Sequence, residues 1–273
     1  MPLVRVTLAV LLTAALATAC AKADPDTLVG RAETGRLVIG IRFDQPGLAE
    51  RTIDGRFVGF DVDVAQHVAT RLGVKSSGIV WRETTPGTRE SDLTSGTVDL
   101  VVGTYSITDR RKELVAFAGP YFVTGQDLLV RKFDTAITGP TGLDGRRLCS
   151  VQGSTSAQEV KSRFAQAVQL VEYPRYPDCV TALLAGQVDA VTTDAVILAG
   201  YVRQDPELLK LVGNPFTSER YGIGLRKGDP AGRAAVAAAI QRMIDTGAWL
   251  SSLRRNIASS GYTLPAPPTV TER

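Results

Sequence analysis

The chain has 273 residues, 44% apolar and 22% charged, with a formal net charge of +3, three cysteines and one histidine. This excludes a disordered or low-complexity polypeptide, and without a lysine and arginine run or an interleaved aromatic stripe the small positive charge does not point to nucleic acid. A single histidine, His67, cannot build a histidine-dependent triad or a multi-histidine metal site, and no G-x-S-x-G elbow, P-loop or cysteine-rich metal spacing occurs. No catalytic residue, cofactor or metal is expected.

The chain opens with MPLVRVTLAVLLTAALATAC, in which Arg5 precedes an apolar run from Val6 to Leu16 and the small residues Ala17, Thr18 and Ala19 precede Cys20. This predicts a signal peptide over 1–19, too short to cross a membrane as a helix. A cysteine directly after the small-residue site is the arrangement of a bacterial lipobox, with Cys20 as the lipidated residue, although Ala17 stands where that motif usually has leucine. An ordinary cleaved signal with an incidental Cys20 is the alternative. Residues 20–34 then form a lipidated polar tether, and the product is exported and anchored to the outer face of the cytoplasmic membrane.

From residue 36 onwards strands and helices alternate. RLVIGIRF (36–43) reads as a strand, and GFDVDVAQHVATRLGV (59–74) as a helix with Val64, Val68 and Leu72 at helical spacing and acidic Asp61 and Asp63 in its first turn. His67 is expected at a solvated position of that helix. GIVWRET is a strand, RESDLTSG a short helix and TVDLVVGTYS a buried strand. The second half repeats the plan with strand RRLCSVQG, helix SAQEVKSRFAQA carrying a Ser156 and Glu159 capping box, strand LVEY, and a helix stopped at Gly186 before the strand VDAVTTD. The phrases SGTVDLVV (95–102) and AGQVDAVT (185–192) match, as in two lobes built alike. Strand YGIGLRKGD and two further helices follow. A βαβα rhythm implies parallel strands covered by helices. The lobes are expected at 35–129 plus 218–262 and at 130–217, with crossings near 127–133 and 214–220 and a C-terminal tail over 263–273.

The remaining cysteines, Cys149 and Cys179, make an even pair in an exported chain, most simply a disulfide, the alternative being two buried thiols. The strand 100–102 ends in Gly103, Thr104 and Ser106, small residues that let a ligand approach the backbone, followed by Arg111, whose fork suits a carboxylate. Thr104 and Ser106 share strand parity, so both hydroxyls are expected on one side. Gly153, Ser154 and Thr155 open a helix, where free N–H groups attract an anion. Asp194, at the end of the matching strand, could take an ammonium group. An arginine on one lobe and an aspartate on the other suit an amino-acid zwitterion.

The segments GFDVDVAQHVATRL, TYSITDRRKELVAFAGPYF, VQGSTSAQEVK and VDAVTTDA, in that order, resemble the blocks of the family-3 extracellular solute-binding proteins, the polar amino-acid receptors of ABC importers. FDQPGL, WRET, GPYFVTGQDLLVR, LCSVQGST and YGIGLRKGD are closer still to the glutamate-binding lipoproteins of actinobacterial uptake systems. The resemblance implies an α/β, two-lobed periplasmic-binding-protein (Venus flytrap) fold, each lobe a mixed, mostly parallel sheet flanked by helices, the two joined by two hinge strands. It implies a monomer that closes on an acidic amino acid and passes it to an ABC permease and its ATPase. Arg111, Thr104, Ser154 and Thr155 would hold the ligand α-carboxylate, Gly103, Ser106 and Asp194 the α-ammonium, and Phe60 would pack on its aliphatic part. Arg42, Arg89 and Arg82 are the candidate cations for an acidic side chain. The alternatives are an exported cyclic-acid dehydratase of the same fold and a soluble amino-acid sensor.

Overall fold

A computed structural model gives the fold over residues 23–273; the leader and Cys20 lie outside the described residues. Helix α1 (Leu28–Glu33) comes first, capped by the Thr27 hydroxyl, then strand β1 (Leu37–Ile41) and a small antiparallel unit of β2 (Asp44–Gln45), β3 (Ala49–Arg51) and β4 (Phe57–Val58). Helix α2 (Phe60–Arg71) starts from Gly59, at φ 127, where a Cβ would lie 2.2 Å from the Leu48 carbonyl oxygen, so only glycine makes the turn. The first pass ends with β5 (Ile79–Glu83), α3 (Arg89–Thr94), β6 (Leu100–Val101), α4 (Asp109–Lys112) and β7 (Ala116–Thr124). Next come β8 (Gln126–Arg131), β9 (Arg147–Val151), α5 (Ser156–Arg163), β10 (Gln169–Tyr173), α6 (Tyr176–Leu184), β11 (Ala190–Asp194), α7 (Ala195–Gln204) and β12 (Leu209–Leu211). The chain returns through β13 (Glu219–Leu225), α8 (Pro230–Asp245) and α9 (Ala248–Ile257).

These strands form two five-stranded sheets, ordered β5-β1-β6-β13-β7 and β10-β9-β11-β8-β12. In the first, β1 runs parallel to β5 and β6 while β13 is antiparallel; in the second, β9 runs parallel to β10 and β11 while β8 is antiparallel. The chain passes between sheets at Gly125 and again between β12 and β13. The first crossing therefore precedes the expected 127–133, and β8 belongs wholly to the second lobe. Its apolar run is continuous in sequence with β7, and only its ladder to β11 reveals the change of sheet.

The matching phrases of the two lobes do the same physical work. Asp99, just before β6, accepts the Val38 N–H at 2.7 Å, and its own N–H donates to the Val38 carbonyl at 2.8 Å. Asp189, just before β11, does the same for Arg147, at 2.8 Å in both directions. In each lobe a buried-strand aspartate fixes the register of the neighbouring strand.

Three expectations are corrected, and the C-terminal tail is given its place. The tether's end is structured: α1 packs on the first lobe, with the Leu28 N–H donating to Asp229 and Arg31 paired to Asp99 at 3.0 Å. The C-terminal tail is docked, because Val270 is buried and Glu272 exchanges backbone hydrogen bonds with Gly119 at the open edge of β7. The cap of α5 is Thr155 without a side-chain bond, and Glu159 pairs with Arg163, so the capping box does not form. His67 is half-buried against the Ala239 carbonyl of α8 with its Nε2 unpartnered among the described residues, and burial and Arg71 push its pKa down.

Cys149 on β9 and Cys179 on α6 are joined by a disulfide, with Cα atoms 5.7 Å apart and 30 residues between them in sequence. Closing such a loop stabilises a fold by about 3–4 kcal/mol on the chain-entropy estimate. Replacing both cysteines by serine should therefore lower the unfolding free energy by about that amount, measured by urea denaturation; an unchanged midpoint contradicts it.

Candidate ligand-binding site

A polar cavity lies between the two lobes. Gln45, Arg89, Thr104, Ser106 and Arg111 line it from the first lobe, and Ser154, Thr155, Tyr176, Thr193, Asp194 and Ile197 from the second. The enclosed space is only about 20 Å³, roughly that of one water, so an amino acid enters only as the lobes part. A wider mouth of about 660 Å³, bordered by Glu90, Arg110, Leu114 and Glu172, opens onto it and shares Arg111, Ser154 and Thr155. The lobes touch around the cavity: Arg175 pairs with Glu83 at 2.6 Å, and the Tyr201 hydroxyl donates to the Asp44 carbonyl at 2.5 Å.

The floor on the first lobe is a strained turn. Strand β6 ends at Val101, and Thr104 takes φ +44, the single non-glycine residue with positive φ among the described residues. A side chain in the left-handed region costs of order 1–3 kcal/mol unless its surroundings hold it. Here the Thr104 N–H donates to Asp61 Oδ2 at 2.9 Å, the Tyr121 hydroxyl donates to Asp61 Oδ1 at 2.9 Å, and the Gln45 amide donates to the Thr104 hydroxyl at 3.0 Å. Asp61 is buried, and desolvation raises its pKa to about 7 against these hydrogen bonds. The turn replaces the simple strand parity expected of Thr104 and Ser106, yet both still face the cavity. Gly103 is not among the residues that line the cavity, and a Cβ there would lie 3.3 Å from the Arg42 stem.

Two arginines rise from this floor. Thr108 caps α4 by accepting the Arg111 N–H, and the Arg111 side chain donates to the Ser106 carbonyl at 2.9 Å. The Arg89 guanidinium lies 3.9 Å from the centre of the Tyr105 ring and that of Arg111 5.3 Å from the same centre. Glu90 stands 3.3 Å from Arg111 Nε and 3.7 Å from Arg89 Nε, too far from Arg89 for a hydrogen bond, and Arg89 Nε has no hydrogen-bond partner among the described residues. Burial and the neighbouring Arg111 charge lower the Arg89 pKa to about 9, which leaves it charged at neutral pH.

The second lobe supplies the opposite pole. Asp194 ends β11 and receives a hydrogen bond from the Tyr221 hydroxyl. Burial and the Glu219 charge raise its pKa to about 7, opposed by Tyr221, Arg111 and Arg89. At the start of α5, the Ser154 N–H already donates to the Val151 carbonyl at 3.0 Å, whereas the Thr155 N–H makes no hydrogen bond among the described residues. The Ser154 amide, expected to be free for an anion, is thus committed to the turn.

Three expected ligand residues lie elsewhere. Arg42 is buried but held by Asp44 in a two-pronged pair at 3.0 and 2.8 Å and donates to the Thr84 carbonyl at 3.3 Å. Arg82 is exposed on β5, an edge strand. Phe60 is fully buried in an aromatic core, 5.6 Å from Phe122 and 5.9 Å from Trp249. A signature at the start of a helix marks that helix's core face as readily as a ligand face. Gln45, Tyr105, Tyr176 and Tyr221 went unread because single polar and aromatic residues within strands and turns carry no spacing signal.

Two α/β lobes joined by two crossings around a polar cleft define the periplasmic-binding-protein fold. Residues 37–257 match the bacterial extracellular solute-binding proteins, family 3. The chain is 43% identical over 258 residues to the glutamate-binding protein GluB of Corynebacterium efficiens, covering 90% of this chain and 87% of that protein. It is 34% identical over 226 residues to the ABC transporter glutamine-binding protein GlnH of Bacillus subtilis, covering 82% of each. An ancestral arginine-binding protein bound to glutamine superposes with a TM-score of 0.76 at 32% identity, covering 81% of this chain and 97% of that one. The chain belongs to family 3 of the bacterial extracellular solute-binding proteins.

Closure brings Gly153 of the second lobe against Gly87 of the first. Gly153 has φ +78, and a Cβ there would lie 2.7 Å from the Gly87 nitrogen. Gly153→Ala adds this clash to a left-handed penalty of about 1–2 kcal/mol, so it should open the lobes and give a larger radius of gyration by small-angle scattering than the natural chain. Identical scattering curves would show that this contact does not limit closure.

Proposed function

We propose that the chain is the substrate-binding lipoprotein of an ABC amino-acid importer, closing its lobes on L-glutamate or L-aspartate and delivering it to a membrane permease. The observation that carries this reading is the pair of buried arginines on one wall facing one aspartate on the other. A dicarboxylic amino acid offers two carboxylates for Arg111 and Arg89 and one ammonium for Asp194, with the Ser106 hydroxyl and the Gly103 carbonyl beside it. Thr104 and the Thr155 N–H complete the α-carboxylate site. The relatives named for glutamate and glutamine support amino-acid transport, and the greater identity to the glutamate-binding one favours the acidic ligand. Cys20 would carry the lipid that keeps the receptor at the cell surface.

Binding here is closure: the ligand bridges groups on both lobes, so it stabilises the closed arrangement by its differential affinity for it. Acidic specificity falls to Arg89, since Arg42 is spent on Asp44. A charge-assisted hydrogen bond contributes about 1.5–3 kcal/mol, so Arg89 alone should favour glutamate over glutamine by about ten- to a hundredfold. Isothermal titration of residues 21–273 with glutamate, aspartate, glutamine, asparagine and arginine tests this. Glutamate or aspartate should bind most tightly, and Arg89→Ala should erase the preference over the amides. Tightest binding of glutamine or arginine overturns the acidic assignment.

The proton on Asp194 sets a second expectation. Only its ionised form attracts an ammonium, and its pKa stands at about 7. Glutamate affinity should therefore be full above about pH 8 and fall by up to about tenfold per unit as pH drops below 7. A binding constant flat between pH 5.5 and 8.5 contradicts the role given to Asp194.

A further inference from the structure

Tyr221 lies on β13 of the first lobe, fully buried, at the irregularity where the pairing with β7 shifts between Tyr221 and Ile223. Its ring is held by Tyr121 at 6.1 Å and Phe122 at 5.7 Å. Its backbone is bound to the segment that carries Ser106: the Ile107 N–H donates to the Arg220 carbonyl at 2.8 Å, the Gly222 N–H donates to the Tyr105 carbonyl at 2.9 Å, and Ser106 and Tyr221 are bridge partners. Its hydroxyl leaves this lobe and donates to Asp194 Oδ2 of the second. Asp194 in turn adjoins the first crossing, because it pairs with Gln126 of β8 and the next N–H, that of Ala195, donates to the Gly125 carbonyl at 2.8 Å. One tyrosine therefore ties together two residues, Ser106 and Asp194, that line the cavity from different lobes.

We propose that Tyr221 is a positioning residue for ligand capture: its hydroxyl holds one oxygen of the Asp194 carboxylate across the hinge and so presents the other to the ligand's ammonium group. The inference rests on Asp194 being the partner of that ammonium. The geometry divides the carboxylate in this way, since Oδ2 is taken by Tyr221 while Oδ1 has no hydrogen-bond partner among the described residues and Asp194 lines the cavity. A buried phenol needs an acceptor, and a carboxylate in a closed cleft needs a donor to fix its plane. Every charged or titratable group around Asp194 enters the balance. Glu219 on β13 favours the protonated acid, Arg111 on α4 and Arg89 on α3 favour the ionised one, and the phenols of Tyr176 on α6 and of Tyr262 stay neutral beside it. The Tyr221 donor stands on the side of the ionised form, so removing it should weaken binding most where Asp194 is only partly ionised.

The test is titration of the mature chain with L-glutamate at pH 6.0, 7.0 and 8.5, for Tyr221→Phe and Asp194→Asn, with thermal melts of the free proteins. Tyr221→Phe keeps the ring and should melt like the natural chain, bind about tenfold more weakly at pH 7.0, and recover to within about threefold at pH 8.5. Unchanged affinity at every pH, or the same loss at every pH, overturns the inference. Asp194→Asn separates the two levels: if it keeps full affinity, the reading of Asp194 fails and the inference falls with it. If it loses affinity while Tyr221→Phe does not, only the inference fails.

Discussion

Burying Arg89 and Arg111 beside the Tyr105 ring sets two like charges where water is nearly excluded, with Glu90 on the same lobe and Asp194 on the other as their acidic neighbours. Such an arrangement is costly without partners, because a buried charge loses several kcal/mol of solvation. The fold spends local order on it. Thr108 caps the short helix that aims Arg111, Asp61 and Tyr121 hold the strained Thr104 beneath it, and the aromatic core behind them, Phe60 included, makes that floor rigid. Under the proposed function, a ligand that brings two carboxylates would relieve this cost, and charge would govern recognition.

With Asp194 on the second lobe and the arginines on the first, the proposed ligand would bridge the two lobes and couple binding to their closure. Asp194 adjoins the first crossing, whereas Gly153 and Gly87 meet at the outer margin of the cavity. Small rotations therefore change the outer contacts most and the hinge contacts least, as expected of two packed bodies joined by short segments. Each body is stiffened on its own account: the strand-end aspartates Asp99 and Asp189 lock register, the docked tail covers the edge of β7, and the disulfide ties β9 to α6.

Most of the architecture was legible in the sequence because alternating apolar runs and glycine stops repeat it twice. What was not legible depended on partners distant in sequence. The apolar run of β8 gives no sign that it has changed sheet, and the tail's proline-rich stretch gives no sign that Glu272 completes an edge. Of the residues that line the cavity, Thr104, Ser106 and Asp194 were readable from their places at or just after strand ends, and Arg111 from the short helix that follows. Arg42 was misread because a buried arginine looks available until its counter-ion is known; Asp44, two residues on, was the clue. Phe60 was misread because conformity to a helix-start signature says nothing about which face it occupies.

The most direct test of the account is a crystal structure of the mature chain with L-glutamate. It predicts the α-carboxylate on Arg111, the ammonium on Asp194 and the side-chain carboxylate within hydrogen-bond distance, about 3 Å, of Arg89. A glutamate whose side chain points into the wide mouth, leaving Arg89 on Tyr105 without a ligand contact, would contradict the claim that the buried arginine pair reads an acidic amino acid.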